Sequence, residues 1–115
     1  MGTLSEGPRL CAVVRFSKRG PLRYVGHLDL ARAFDRMVRR GNLPVAYTEG
    51  FNPRAKIAFA SPLPLGAESE GELCVMDLAQ PAEAEDLAKE LCRQAPVGLD
   101  VLDVSVRRLC KVHHT

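Results

Sequence analysis

The residues best suited to chemistry in this chain are arginines. Arg32, Arg36, Arg39 and Arg40 fall at i, i+4, i+7 and i+8 of one amphipathic run, and Arg54 and Lys56 follow in a stretch rich in glycine and proline. A guanidinium grips phosphate through two parallel N–H groups, and a row of them along a helix follows a phosphate backbone. Phe51 and Asn52 lie in the turn between the two groups, with Tyr47 just before it. Aromatic rings so placed can stack on nucleic-acid bases. The same pattern also has a plain structural reading, in which the arginines are solvated and Phe51 packs into the core.

A second chemistry is conceivable at His27 and Asp29, which stand at the start of that run. A neutral histidine there can act as a general base with Asp29 orienting it, or it can make a structural hydrogen bond in a helix cap. The acids Glu68, Glu70 and Glu72 are spaced by two, as on one face of an extended segment, with Asp77 beyond. That spacing reads as a solvated acidic strand, because oxygen cages for metals need convergent side chains. The four cysteines, Cys11, Cys74, Cys92 and Cys110, form no CxxC pair, so neither zinc nor redox chemistry is signalled. Cys11 and Cys74 stand in apolar runs, where a reduced core thiol is expected. No metal and no cofactor is expected on the chain.

At 115 residues the chain is sized for one domain. Its net charge of +2 conceals a split: residues 1–60 hold eleven Lys and Arg against four acids, and residues 61–115 hold five against ten. That asymmetry suits a polyanion on the first half, or two halves that attract each other. No run approaches the roughly 20 apolar residues of a membrane span, and the first apolar run is too short for a signal peptide. A cytoplasmic protein without membrane association is expected.

The elements that must position these residues follow from periodicity. After a loose arm at 1–9, residues 10–16 read as a strand and 27–40 as a helix, with Leu30, Ala31, Phe34, Met37 and Val38 on one stripe. Gly41–Asn42 stops the helix. Residues 43–48 read as a strand, 49–53 as a tight turn and 56–60 as a strand returning beside it, closed by Pro62 and Pro64. Residues 72–78 form the next strand, a helix starts at Pro81, and residues 99–106 form the last strand, with a slip between Val101 and Val104. Residues 10–110 thus predict one α+β domain: a ferredoxin-like sandwich, its antiparallel sheet carrying two helices on one face, plus an extra hairpin around Gly50. Residues 111–115 read as a tail.

Taken together, Arg23-Tyr24-Val25-Gly26-His27-Leu28-Asp29, the four arginines, Gly50-Phe51-Asn52-Pro53 through Lys56, Pro62-Leu63, Gly66, Ser69 and Glu72 resemble the radical-SAM-linked domain of unknown function, DUF2344. The resemblance spans about residues 10–78. It departs at Gly26, where Ser is common, and at Arg54-Ala55, where a second Pro is common. It implies a domain fused to, or encoded beside, a radical SAM enzyme with a cobalamin-binding domain, often near genes for a ribonuclease and ribosomal proteins. This chain has no CxxxCxxC triplet to hold the radical SAM cluster itself. The reading that follows is a non-catalytic accessory domain that partners such an enzyme and holds RNA through Arg32, Arg36, Arg39, Arg40, Arg54 and Lys56, with Phe51 and Asn52 touching a base or the partner. Two alternatives stay open: a metal-independent RNA-processing enzyme using His27, and a docking module for the radical SAM protein.

Overall fold

The computed structural model describes residues 10–59 and 69–108, the side chains of His27, Ser69 and Glu70 excepted. In chain order these form β1 (Leu10–Lys18), a 3-10 turn (Gly20–Tyr24), α1 (His27–Arg40), β2 (Ile57–Phe59), β3 (Ser69–Leu78), α2 (Ala84–Gln94) and β4 (Leu99–Arg108). The strands are ordered β2-β3-β1-β4, and every neighbouring pair is antiparallel. This is the α+β arrangement predicted, consistent with a ferredoxin-like sandwich.

Alternation along the strands decides what is buried. In β1, Ala12, Val14 and Phe16 point to the helix side and pair with Met76, Cys74 and Glu72 of β3. They meet Leu30, Phe34, Met37 and Val38 of α1 and Leu87 and Leu91 of α2 in one core. Phe16, Phe34 and Phe59 sit edge to face, with ring centroids 5.0, 5.8 and 6.1 Å apart. A fully buried side chain of this size contributes about 1.5–3 kcal/mol. The slip in β4 is a bulge: Arg15 pairs with Asp103 and Phe16 with Val101, so Leu102 is the extra residue.

α1 ends where Gly41–Asn42 requires. Asn42 adopts φ 54°, and the N–H groups of Asn42 and Leu43 donate to the carbonyls of Arg39 (3.1 Å) and Val38 (2.9 Å). These are the paired bonds of a Schellman motif with asparagine in the left-handed position. They turn the chain sharply back along α1.

Three expectations are corrected. Residues 43–48 are not a regular strand: they make only isolated bridges, Val45 with Leu78 and Tyr47 with Ala55. Pro44 has no N–H to give, and the bonds of Ala46 are divided, its N–H going to Asp77 and its carbonyl to the N–H of Lys56. The returning strand is accordingly short. Glu72 is not a solvated acid: it is buried on the helix face, 3.5 Å from the buried Nζ of Lys18, each 4 % exposed. Cys11 is disulfide-bonded, whereas Cys74 is free and buried, its thiol pKa pushed up by desolvation and by nearby Glu72. The expected arm at 1–9, Pro62 and Pro64, and the tail at 111–115 lie outside the described residues.

Oε2 of Glu72 has no hydrogen-bond partner among the described residues, so Lys18 is its main compensation. Removing one member leaves an uncompensated buried charge, while removing both leaves none. Glu72→Ala should therefore cost about 3–5 kcal/mol in urea unfolding. The Lys18→Met/Glu72→Leu double variant should recover most of that loss; a double variant as unstable as the single would show that the pair is not the source.

Candidate functional site

The outer face of α1 and the chain that returns at residues 54–57 enclose a groove of about 380 Å³. The helix wall supplies Leu28, Ala31, Arg32, Asp35, Arg36 and Arg39, and the facing wall supplies Arg54, Ala55 and Ile57. The helix side follows from periodicity: Leu30, Phe34, Met37 and Val38 are buried, so the residues about half a turn away from them look outward.

One ion pair ties the two walls together. Asp35 accepts from Nε of Arg39 one helical turn on, and its other oxygen accepts from the N–H of Ala55 at 2.9 Å. Nη2 of Arg39 donates to the carbonyl of Pro53 at 2.6 Å, and the guanidinium lies over the Tyr47 ring, 4.7 Å from its centroid. The Asp35 hydrogen bond is the main reason the pKa of Arg39 lies above its ordinary value. The base of the turn is closed by Thr48, whose N–H donates to the Arg54 carbonyl (2.8 Å) and whose Oγ1 accepts from the Arg54 N–H (3.0 Å). Gly50, at φ 130°, takes the bend between them, a conformation that side-chain-bearing residues rarely adopt.

The predicted residues are therefore divided. Arg32, Arg36, Arg39 and Arg54 come together on the groove. Arg39 acts there as a fastener, and Tyr47, expected to be available for base stacking, lies beneath it. Arg32 is 3.7 Å from Asp29 in an exposed i,i+3 pair. Arg36 and Arg54 have no ion-pair partner among the described residues. Arg40 is exposed, about 100° round the helix from Arg39, and does not line the groove. Ile57 of β2 pairs with Met76, a core residue, so by alternation Lys56 belongs to the opposite face of the sheet.

Phe51 is not a core staple: it is 101 % exposed at the tip of the turn, beside exposed Asn52. His27 opens α1, but its side chain lies outside what is described. Asp29, its expected orienting partner, lies 3.7 Å from Arg32. Among the described residues no group of His, Cys, Asp and Glu could hold a metal ion, and no helix is long and apolar enough to cross a membrane. Sequence reasoning missed the aliphatic part of the groove: Leu28, Ala31, Ala55 and Ile57. The signal was present in Leu28, an apolar residue off the core stripe that is left 54 % exposed.

A family model described as an uncharacterized protein conserved in bacteria, DUF2344, matches residues 12–110, and the chain belongs to that family. No curated protein matches the chain, and no solved structure does.

If Arg39 fastens the walls, its loss should free residues 48–54 without unfolding the domain. Arg39→Ala should speed protease nicking within 48–54 and amide exchange at Ala55, with far-UV dichroism unchanged. Arg39→Lys should not restore protection, because an ammonium lacks the planar fork that reaches Asp35 and Pro53 together. Equal nicking rates in the parent and Arg39→Ala proteins would rule the fastening role out.

Proposed function

We propose that this member of the family is a non-catalytic accessory domain of the cytoplasm that works with a cobalamin-type radical SAM enzyme and binds RNA through the groove beside α1. The observation that carries the RNA reading is the convergence of Arg36 and Arg54. They come from opposite walls of one groove, and no carboxylate among the described residues pairs with either. Asp35, the acid lining the groove, already has both oxygens engaged. Cations held open towards a concave surface suit a phosphate, which takes two parallel N–H bonds from a guanidinium. The partnership with a radical SAM enzyme is supported by the sequence resemblance, which places such domains fused to or encoded beside one.

A second reading rests on Phe51. A fully exposed aromatic ring at the tip of a braced turn is the kind of anchor that protein interfaces bury. It supports docking on the radical SAM protein, and it is compatible with RNA held in the groove.

Binding through two phosphates should make the affinity for single-stranded RNA fall with salt, with a log–log slope of about −1.4. Arg36→Glu or Arg54→Glu should weaken binding by about tenfold or more, equally for every sequence, and flatten the slope. An affinity indifferent to salt would defeat the RNA reading. For the docking surface, Phe51→Ala should abolish RNase-resistant co-purification with a cobalamin-type radical SAM protein of the kind the resemblance implies, while RNA affinity is kept. Undiminished co-purification would eliminate Phe51 as the anchor.

A further inference from the structure

Resting on the RNA reading above, we propose that the groove is a seat for one unpaired nucleotide of a single strand, with the base on its aliphatic floor and the flanking phosphates on its arginine rim, and that it accepts any base.

The groove combines two chemistries. Leu28, Ala31, Ala55 and Ile57 give it aliphatic surface, and Leu28 remains 54 % exposed. Arg32 and Arg36 stand one turn apart on the helix, a rise of about 6 Å, and Arg54 faces them from the other wall. A ligand that satisfies both must pair a flat, weakly hydrated body with anionic groups on either side of it, which is the composition of a nucleotide within a strand. A volume of about 380 Å³ lies at the small end of ligand sites, suited to one such unit and not to several.

Base pairing decides which form of RNA can use both parts. In a duplex the bases are stacked inside and the phosphates lie outside, so a duplex reaches only the arginine rim. In a single strand the bases can be splayed out and laid on a protein surface. Packing a base on aliphatic carbon removes apolar surface from water and tolerates any sequence, since every base has an apolar face. Tolerance is reinforced by the state of Asp35. Its Oδ1 accepts from Arg39 and its Oδ2 from Ala55, so each oxygen of the carboxylate that could accept from a base edge already has a donor, and Nε and Nη2 of Arg39 are engaged too. Edge reading needs a fixed donor–acceptor pattern, and the groove presents aliphatic carbon and exposed guanidinium groups.

The experiment is fluorescence anisotropy at low salt on the full chain. The probes are a labelled single-stranded RNA of mixed sequence, the same RNA annealed to its complement, and a polyglutamate peptide. The variants are Ala31→Leu, which fills the floor with a strong helix former, and Leu28→Ala, which removes part of it; far-UV dichroism of each checks the fold. The expected result is single-strand affinity at least tenfold above duplex affinity, similar for oligo-A and oligo-U. Both variants should shrink that ratio severalfold without changing duplex affinity. Equal affinity for the two forms, or a ratio untouched by both variants, overturns the nucleotide seat while leaving salt-dependent RNA binding standing. Polyglutamate affinity matching that of the single strand, and lowered by the same variants, assigns the groove to an acidic protein and overturns it as well. Absence of binding to both RNA forms removes the RNA reading itself, and the seat with it.

Discussion

The candidate site depends on the Asp35–Arg39 pair. Neither residue is remote in sequence, and as an exposed i,i+4 pair it would have little consequence by itself. Its importance comes from the further bonds each partner makes. Asp35 takes the Ala55 N–H and Arg39 gives to the Pro53 carbonyl, so one side-chain pair satisfies two backbone groups of a segment that has few ladder bonds. The Tyr47 ring packs against the same guanidinium. A segment that cannot pair along its length is thus held at one point, and the groove is the space left between that point and the helix.

Two periodicities then sort the basic residues. Along α1 each residue advances about 100°, so Arg39 meets the facing wall while Arg40 looks elsewhere. Along β2 each residue reverses face, so Ile57 lines the groove and Lys56 belongs to the far side. Six basic side chains that are close in the sequence therefore do not all line one groove. Four line the groove; of these Arg39 fastens the walls and Arg32 leans towards Asp29. The pair that remains, Arg36 and Arg54, spans the groove.

Much of the fold was legible because it rests on local rules. The apolar stripe of α1, the stop at Gly41–Asn42, the slip in β4 and the antiparallel order all follow from spacing that single elements display. What was not legible depends on partners distant in sequence. Residues 43–48 have strand-like composition, but whether they form a ladder is decided by how Ala46 divides its bonds between Asp77 and Lys56. Glu72 looks solvated beside Glu68 and Glu70, yet it is buried because Lys18, more than fifty residues earlier, arrives at the same face of the sheet. Tyr47 looked free to stack because Arg39, which covers it, was assigned to phosphate. The candidate site was half legible for the same reason: helical spacing put Arg32, Arg36 and Arg39 on one side, but only the returning chain brought Arg54, Ala55 and Ile57 to face them.

Arg36 and Arg54 face each other across a space in which the nearby carboxylate is already engaged, and neither makes an ion pair among the described residues. Like charges brought into one groove repel, although in water at distances of several ångströms the penalty is below about 1 kcal/mol and salt lowers it further. That small cost explains how the arrangement persists without a carboxylate between them. It also explains why an anion would change the balance. A ligand that enters the groove displaces water, lowers the local dielectric and supplies the missing countercharge at once, so attraction to both guanidiniums strengthens as their mutual repulsion is cancelled. The aliphatic floor acts in the same direction, since covering Leu28 and Ile57 removes apolar surface from water in the same step. Charge and floor are each weak in the free protein. They would reinforce each other for a ligand that engages both, and on the proposed reading that sets a nucleotide apart from a bare phosphate.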